Sequence, residues 1–306
     1  MTAAVPPVAR ILDPSPLAAS FRDELRAEIA RVPDPLVLVG LLASDHGPSR
    51  TYADYTEKGC REVGVRFDLR TIHRLEAEAA ISSANADPGV HGVILYYPIF
   101  GTEQDRYLRD LVDPGKDVEG LHSFWARCLY GNRRFLDAAG TKKAILPCTP
   151  LAILKLLDAA GAFAQGSRPL ARKRACIFNR SEVVGRPLAA MMANDGAEVV
   201  SFDIDGPLLF LPDRSGEGHE VRETTEERAD ALRSADIVIT GVPSRTFQRV
   251  SAAEIREGAL CLNFSTVANF QEDAVEKAGT FIPRVGPMTV TMALRNTLRL
   301  YRNARD

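Results

Sequence analysis

The stretch ARKRACIFNRSEVVGRPLAAMMANDGAEVVSFDID, residues 171–205, decides the fold class of this chain. An apolar run leads into a polar turn, a helical segment rich in alanine and methionine follows, and a second apolar run ends in Asp203. Strand, turn, helix and strand in this order are the parts of a βαβ unit in a parallel sheet. The stretch therefore predicts an α/β fold with a Rossmann-type domain in the second half of the chain.

Strand and helix patterns also alternate in the first half. Apolar or alternating segments predict strands at 35–43, 65–72 and 90–100, and helical patterns lie between them at 49–64 and 73–87. Strands separated by helices favour a second parallel sheet with helices on its faces. We therefore expect an N-terminal domain of the αβα type.

The remaining segments complete the second domain and add a closing helix. Predicted helices and short strands follow at 151–163, 234–244, 258–265, 279–286 and 289–306. The mostly polar segment 206–230 predicts an insertion or a long loop. We place the domain boundary near residue 150. Residues 1–150 form the first domain, the C-terminal helix 288–306 packs back on it, and residues 151–287 form the Rossmann-type domain.

The composition is typical of a soluble globular protein. The 306 residues are 45% hydrophobic and 25% charged, and the formal net charge is -2. This charge gives no general attraction to nucleic acid or to an anionic membrane. No apolar run approaches the ~20 residues of a membrane span, and the start of the chain lacks the pattern of a secretory signal. A cytoplasmic location is the expectation.

The five cysteines are scattered and form no C-x-x-C pair. This spacing argues against a disulfide framework and against a zinc site, and we predict no bound metal. Cys148, in LPCTP, has two interpretations: a nucleophile or a small buried residue. The second is favoured because free cysteine usually behaves as a small hydrophobic residue.

The turn after the first strand of the opening stretch predicts a cofactor site. Asn179, Arg180 and Ser181 occupy this turn, and Gly185 allows close approach at the start of the helix. A helix N-terminus with free N–H groups suits a pyrophosphate, although the turn is not a strict G-x-G-x-x-G. Asp203 follows at about the spacing of the residue that meets the ribose hydroxyls of NAD.

Cofactor choice depends on two opposed charges. The Asp203 carboxylate would repel the extra phosphate of NADP, whereas Arg180 could pair with it. NAD is favoured. The segment ADIVITGVPS predicts a strand that ends at the same cleft, so Gly241, Val242 and Pro243 are further cofactor candidates. The alternative is a plain α/β domain in which Asp203 is only a solvated strand end.

The segment TYADYTEKGC, residues 51–60, concentrates polar side chains in one predicted helix. At 100° per residue, Tyr52 and Thr56 share a face, whereas Lys58 lies roughly 240° from Tyr52. If Tyr52 faces a cleft, Lys58 faces solvent or a neighbouring element. Lys58 is therefore predicted to be a surface residue.

Seven motifs in one order resemble the methylenetetrahydrofolate dehydrogenase/cyclohydrolase family. They are TYADYTEKGCREVGV, GVILYYPIF, GKDVEGLH, ILPCTPLAILKLL, NRSEVVGRPLAAMM, SADIVITGVPS and VGPMTVTMALRNTL. The resemblance covers nearly the whole chain. It implies a folate-binding catalytic domain in residues 1–150, a Rossmann-type NAD-binding domain in residues 151–287 and a homodimer.

The departures from the family pattern concern the catalytic residues of its bifunctional members. Tyr52 matches the family's tyrosine, but Thr56 occupies the position of its catalytic lysine, and Lys58 aligns with a non-catalytic position. Tyr96 stands where the family has a glutamine that bonds this lysine. Glu119 replaces an aspartate that contacts folate.

These departures favour the monofunctional, NAD-dependent branch of the family. A positioned proton-transfer group helps water to open the methenyl ring, and threonine does not supply such a group at neutral pH. Hydride removal depends mainly on positioning, because two flanking nitrogens delocalise the cation. We expect oxidation of 5,10-methylenetetrahydrofolate to 5,10-methenyltetrahydrofolate without cyclohydrolase activity, feeding one-carbon units toward purine synthesis.

The resemblance also assigns the folate side of the site. Tyr52 and Thr56 are expected to line the folate cleft, and Glu119 to orient the pterin. Tyr96 either stacks on the pterin or fills space, and the folate-side loop is formed by Pro287, Met288 and Thr289. Two other functions stay open: a bifunctional dehydrogenase/cyclohydrolase that uses Lys58 or another group, and a non-catalytic protein that binds nucleotide or folate.

Overall fold

In the computed structural model, residues 10–43, 47–215 and 218–305 are described. The strands are β1 (Arg10–Ile11), β2 (Val37–Leu42), β3 (Arg66–Thr71), β4 (Gly92–Tyr96), β5 (Arg174–Phe178), β6 (Glu198–Asp203), β7 (Gly206–Pro212), β8 (His219–Glu223), β9 (Ile237–Thr240), β10 (Leu260–Asn263) and β11 (Thr280–Ile282). The helices are α1 (Pro14–Ile29), α2 (Gly47–Val63), α3 (Ala77–Ala86), α4 (Gln104–Leu111), α5 (Ser123–Tyr130), α6 (Cys148–Ala159), α7 (Gly185–Asn194), α8 (Arg228–Ser234), α9 (Glu272–Lys277) and α10 (Gly286–Asn303).

The described chain divides into two compact units. The small-sheet unit comprises residues 15–151 and 287–305, and the large-sheet unit comprises residues 10–14 and 152–286. The α/β fold class is confirmed, and the C-terminal helix belongs with the first half of the chain as predicted.

The large sheet has eight strands in the order β1-β11-β10-β9-β5-β6-β7-β8. In this order, each strand from β1 as far as β6 is parallel to its neighbour. This is the Rossmann-type pattern predicted from residues 171–205. The central strands read as near-continuous apolar runs because both of their faces are covered. Cys176, Val200, Val238 and Cys261 are at most 1% exposed in the core of this unit. The chain order reverses between β5 and β9, and such a switch point is where ligands bind in open α/β sheets.

The prediction of a long loop at 206–230 was wrong. Strands β7 and β8 extend the sheet as an antiparallel pair, and α8 begins at Arg228. Gly206 has φ 93° and opposes Asp203, which permits a tight turn between β6 and β7. Charged, exposed residues on β8 hide its strand character, and such charges are typical of an edge strand.

Residues 10–14 belong to a different unit from the one predicted for them. β1 pairs in parallel with β11, with Arg10 opposite Thr280 and Ile11 opposite Phe281. The pairing places residues 10–14 in the large-sheet unit rather than with residues 15–150. A two-residue strand carries no periodicity, so backbone hydrogen bonds to a distant strand decide its place.

The small sheet has three parallel strands in the order β3-β2-β4. Val39, Leu41, Val93 and Leu95 lie in its core with Ile81 of α3. Helix α10 is also buried in this unit, with twelve buried residues.

Helices α2 and α10 approach closely at a glycine. A Cβ atom on Gly59 would lie 2.9 Å from Val290 and 3.1 Å from Leu294. A larger residue at 59 would therefore push the two helices apart. This contact fixes α2, the helix that carries Tyr52 and Thr56, against the C-terminal helix.

Candidate active site

Tyr52, Thr56 and Tyr96 meet in the small-sheet unit, where α2 crosses the end of β4. The rings of Tyr52 and Tyr96 are 5.5 Å apart between centroids and form an edge-to-face pair. Thr56 is fully buried, and its hydroxyl donates a hydrogen bond to the Tyr52 carbonyl at 2.9 Å. The sequence therefore correctly predicted that Tyr52 and Thr56 share an inward face.

Lys58 lies on the opposite face of α2. Its side chain is exposed, whereas Thr56 and Gly59 are buried. The prediction of a surface lysine is confirmed. Lys58 is therefore not positioned to replace the family's missing catalytic lysine within this unit.

Tyr96 is a buried tyrosine whose hydroxyl group lacks a partner in the described part of the chain. The residue is 1% exposed, and its Oη atom makes no hydrogen bond to the described residues. Burial raises the pKa of this phenol, and the adjacent Thr56 hydroxyl offsets only part of the effect. The pKa of Tyr52 is raised as well, most of all by burial and then by the charges of Glu119 and Cys148. Both phenols are therefore protonated at neutral pH.

The loop after α4 is organised by Asp117. Its buried carboxylate accepts hydrogen bonds from the backbone amides of Glu119, Gly120 and His122 at 3.0, 3.0 and 2.8 Å. Gly120 has φ 67°, and a Cβ atom there would lie 2.8 Å from the Leu146 backbone. Asp117 thus shapes the loop that presents Glu119.

Glu119 is a half-buried carboxyl group with a strongly raised pKa. Burial raises the pKa to about 8, the Asp117 carboxylate adds to the rise, and the Leu95 amide and Arg109 oppose it. Without a ligand, the group is therefore mostly protonated at pH 7. Hydrogen-bond donors of a bound ligand would favour its ionised form.

The start of α10 contributes the other substrate-side candidates. Met288 is fully buried, Thr289 is 8% exposed and Pro287 is half-buried. The Thr289 hydroxyl lies 3.4 Å from the Thr149 hydroxyl. The structure thus places Thr289 beside the start of α6, a neighbour that the sequence did not indicate.

Asn296 is a polar residue of this region that the sequence analysis missed. It is fully buried on α10, and its Nδ2 atom donates to the carbonyls of Val118 and Leu146 at 2.9 and 3.0 Å. The Cys148 thiol donates to the same Val118 carbonyl at 3.2 Å. Cys148 is 5% exposed, so the interpretation as a small buried residue is confirmed. An asparagine on the apolar face of α10, between Met292 and Leu300, was the available signal, because such a group needs partners when buried.

In the large-sheet unit, Asn179 joins the two strands at the switch point. Its Nδ2 atom donates to the Gly241 carbonyl at 2.9 Å, and its Oδ1 atom accepts from the Ser181 amide and hydroxyl. A Cβ atom on Gly185 would lie 1.8 Å from the Asn179 carbonyl oxygen. The Asn179 side chain therefore shapes the turn, and glycine is required where α7 begins.

Arg180 and Asp203 interact through the backbone of the same turn. The Asp203 carboxylate accepts from the amides of Arg180 and Ile204, and the residue is exposed. The Arg180 Nη1 atom donates to the carbonyls of Ser201 and Gly206 at 2.9 and 2.8 Å. Arg180 thus anchors the β6–β7 turn.

The segment after β9 is fixed in place by residues that follow β10. A Cβ atom on Gly241 would lie 1.8 Å from the Phe264 ring. The Val242 amide donates to Asn269 Oδ1 at 2.9 Å, and its carbonyl accepts from Asn269 and Ser265 at 3.0 Å. Val242 therefore has only its side chain for a ligand, and Pro243 is exposed beside it. The sequence analysis missed Asn269 because it lies far along the chain.

The described part of the chain contains neither a cluster of metal ligands nor a membrane-spanning helix. No group of three or more His, Cys, Asp and Glu residues could hold a metal ion there. Among the described helices, none is both long and apolar enough to cross a membrane.

The matching family models and three relatives at 40% identity or more agree on one family. The family model for the tetrahydrofolate dehydrogenase/cyclohydrolase catalytic domain matches residues 12–119, and the model for its NAD(P)-binding domain matches residues 147–210. The chain is 40% identical over 298 residues to a methylenetetrahydrofolate dehydrogenase [NAD(+)] of Schizosaccharomyces pombe, covering 95% of this chain and 92% of the relative. The corresponding Saccharomyces cerevisiae protein is 43% identical over 278 residues, covering 87% and 86%.

A solved structure is also similar. The NAD-dependent 5,10-methylenetetrahydrofolate dehydrogenase from Saccharomyces cerevisiae superposes with a TM-score of 0.91 at 38% identity. The match covers 98% of this chain and 99% of that one.

Proposed function

The chain belongs to the tetrahydrofolate dehydrogenase/cyclohydrolase family, and on this premise we propose that it oxidises 5,10-methylenetetrahydrofolate to 5,10-methenyltetrahydrofolate with NAD. The observation that carries the proposal is the buried Thr56, whose hydroxyl is bonded to the Tyr52 carbonyl. The position that gives bifunctional members their lysine thus holds no group able to exchange a proton near pH 7. The names of the relatives support the same reaction.

The residues around the switch point fit NAD. Gly185 and Gly241 let the turn and the end of β9 pack tightly at the switch point, because a side chain would strike the Asn179 carbonyl or the Phe264 ring, and Ser181 lies in the turn between β5 and α7. Asp203 uses two acceptor positions for backbone amides, and a carboxylate has about four, so ribose hydroxyls can still be bound. When bound, NAD supplies the hydride acceptor.

The same residues support NAD over NADP. An exposed carboxylate at residue 203 repels a 2′-phosphate, while the Arg180 Nη1 atom is already bonded to two carbonyls. The guanidinium group of Arg180 therefore stabilises the turn in the first place and is less available to bind a ligand. Asn179, Val242 and Pro243 complete the proposed cofactor contacts.

On the folate side, we assign orienting roles rather than proton transfer. Glu119 accepts hydrogen bonds from the pterin N–H groups as a carboxylate, and Tyr52 provides a protonated aromatic wall. Tyr96 is 1% exposed and packs against Tyr52, so it fills space behind this wall. Pro287, Met288 and Thr289 bound the pterin at the start of α10. Hydride transfer then requires positioning and exclusion of water, because the nitrogens of the substrate stabilise the cation.

The proposed function has a direct assay. Purified protein is given 5,10-methylenetetrahydrofolate with NAD or NADP, and NADH and methenyl absorbance are followed together. We expect NADH and methenyl product to rise in step, with NAD preferred. Methenyl that never exceeds its spontaneous steady state would indicate a bifunctional enzyme, and no reduced cofactor would indicate a binding protein.

We also propose three further properties. The family resemblance implies a homodimer and a supply of one-carbon units for purine synthesis, and the sequence favours a cytoplasmic location. Sedimentation of the purified chain tests the homodimer, and fractionation of cells tests the location. Purine dependence of a strain that lacks the chain tests the supply of one-carbon units.

A further inference from the structure

A basic cleft in the small-sheet unit belongs to none of the residues assigned above. It lies between α1 and α10 and has a volume of about 390 Å³, within the size range of small-molecule sites. Arg295, Arg299 and Arg302 line it from α10, at spacings that place them on one helix face. Lys143 lines the same cleft.

Two of these guanidinium groups have no direct partner in the described part of the chain, although the Glu28 carboxylate partly offsets the charge of both. Arg295 and Arg299 are half-buried and make no hydrogen bond or ion pair with the described residues. Arg302 is paired with Glu28 at 2.6 Å, and Glu24 is the other carboxylate that lines the cleft. Positive charge therefore exceeds negative charge in a space that solvent reaches only partly.

This arrangement costs stability in the absence of a ligand. Burial lowers the pKa of Arg299 to about 10, and the charges of Arg295 and Arg302 contribute to the shift. Burial also lowers the pKa of Arg295. Like charges one turn apart on a helix repel each other, so an anion bound between them would relieve the strain.

The rest of the cleft is apolar. Phe21 is half-buried, and Leu25 and Leu298 are 4% and 2% exposed beside the guanidinium groups. A ligand of the volume of this cleft would place an apolar group against these side chains while its charge met α10. Planar guanidinium forks bind carboxylates and phosphates alike, but a phosphate monoester has three terminal oxygens and can therefore meet two forks at once.

We propose that this cleft binds a phosphate monoester of a small organic molecule, with the phosphate held by Arg295 and Arg299. The apolar part of the ligand lies against Phe21 and Leu25. The site is independent of the proposed dehydrogenase reaction, because none of its residues belongs to the assigned folate or cofactor groups.

The test is calorimetric titration of the whole chain with phenyl phosphate, with NAD present to fill a cofactor site. We expect saturable binding with one site per chain, and weaker binding of inorganic phosphate because it lacks the apolar group. Arg295→Gln and Arg299→Gln should each weaken phenyl phosphate at least ~10-fold, the loss of one charged hydrogen bond. Arg299→Lys should retain part of the affinity.

Arg61→Gln is the matched control, because Arg61 is an exposed arginine of α2 that is paired with Glu57 and lies outside the cleft. It should leave binding unchanged. Thermal melting shows that the variants fold: Arg299→Gln should melt no lower than the unchanged chain without ligand, and should gain nothing from phenyl phosphate. Binding that does not saturate, that sodium chloride of equal ionic strength reproduces, or that survives both glutamine variants would overturn the proposal.

Discussion

The Thr56 hydroxyl donates to the Tyr52 carbonyl at 2.9 Å, one helical turn back along α2. The hydroxyl therefore finds its hydrogen-bond acceptor within the same helix, as a buried threonine often does. Thr56 is fully buried, so we expect that it serves the proposed site only by occupying space beside Tyr96.

Replacing Thr56 by valine tests this role. The substitution keeps the shape and removes only the hydroxyl, so we expect dehydrogenase kcat to stay within about 3-fold and stability within ~1 kcal/mol. Stopped assays of NADH formation and urea unfolding measure the two quantities. A loss of kcat beyond ~100-fold would show that the hydroxyl takes part in the reaction.

Restoring the family's lysine should require two changes. Thr56→Lys alone buries an unpaired ammonium beside the Tyr96 ring, and we expect a loss of about 3–5 kcal/mol in the free energy of unfolding. Adding Tyr96→Gln supplies room and an acceptor oxygen, so stability should partly return and methenyl absorbance should decay faster than spontaneously. Thr51→Lys on the exposed face of α2 is the control and should change neither quantity.

The pH dependence should follow Glu119. Its pKa of about 8 means that the carboxylate form needed to accept pterin N–H bonds is scarce at pH 6. We expect kcat/KM to rise with pH through about 8 and then level off. Glu119→Gln should be slower, by roughly 10–100-fold, and should lack this rise, because it keeps the neutral form at every pH.

The free energy of unfolding should also depend on the ionisation of Glu119, but it should fall as pH rises, whereas kcat/KM rises. The unfolded chain ionises this carboxyl near its ordinary pKa of 4.5, and the folded chain does so only near 8. Between these values the folded state binds more protons, so its stability falls as pH rises and levels off above about 8. Glu119→Gln should remove part of this fall, whereas Glu78→Gln, at an exposed residue of α3, should leave it unchanged. Equal slopes for the two variants would contradict the assignment.

Cofactor preference should depend on Asp203. Asp203→Asn keeps one oxygen for the backbone amides of Arg180 and Ile204 but removes the charge that repels a 2′-phosphate. We expect kcat/KM with NADP to rise about 10-fold and kcat/KM with NAD to fall by a similar factor. Asp205→Asn, also exposed and two residues away, should change neither ratio. An unchanged preference in Asp203→Asn would exclude this carboxylate from cofactor choice.

The turn before α7 should not tolerate a side chain at Gly185. Its Cβ atom would lie 1.8 Å from the Asn179 carbonyl oxygen, so Gly185→Ala must displace the turn or α7. We expect a loss of about 1–3 kcal/mol in unfolding free energy and weaker binding of NAD. Gly286→Ala is the control and should keep its stability, because the added Cβ atom would meet no other described segment of the chain within 4 Å. Wild-type affinity for NAD in Gly185→Ala would show that the cofactor does not use this turn.

Much of the fold could be predicted because local patterns carry it. The apolar runs that became β2, β4, β5 and β9 are covered on both faces, so their composition alone marks them as buried parallel strands. The hairpin of β7 and β8 was missed because an edge strand needs exposed charges, and those charges resemble a loop.

The sequence by itself determined which face of α2 each residue occupies, since helical geometry separates Thr56 from Lys58 without any neighbour. Only the tertiary structure decided what those positions can do. Asn179 meets Gly241 across 62 residues, Asn296 meets Val118 across 178, and the pKa of Glu119 depends on burial and on Asp117. Hydrogen bonds between distant segments and the loss of water around a carboxyl group arise only after the chain has folded, so no local pattern records them.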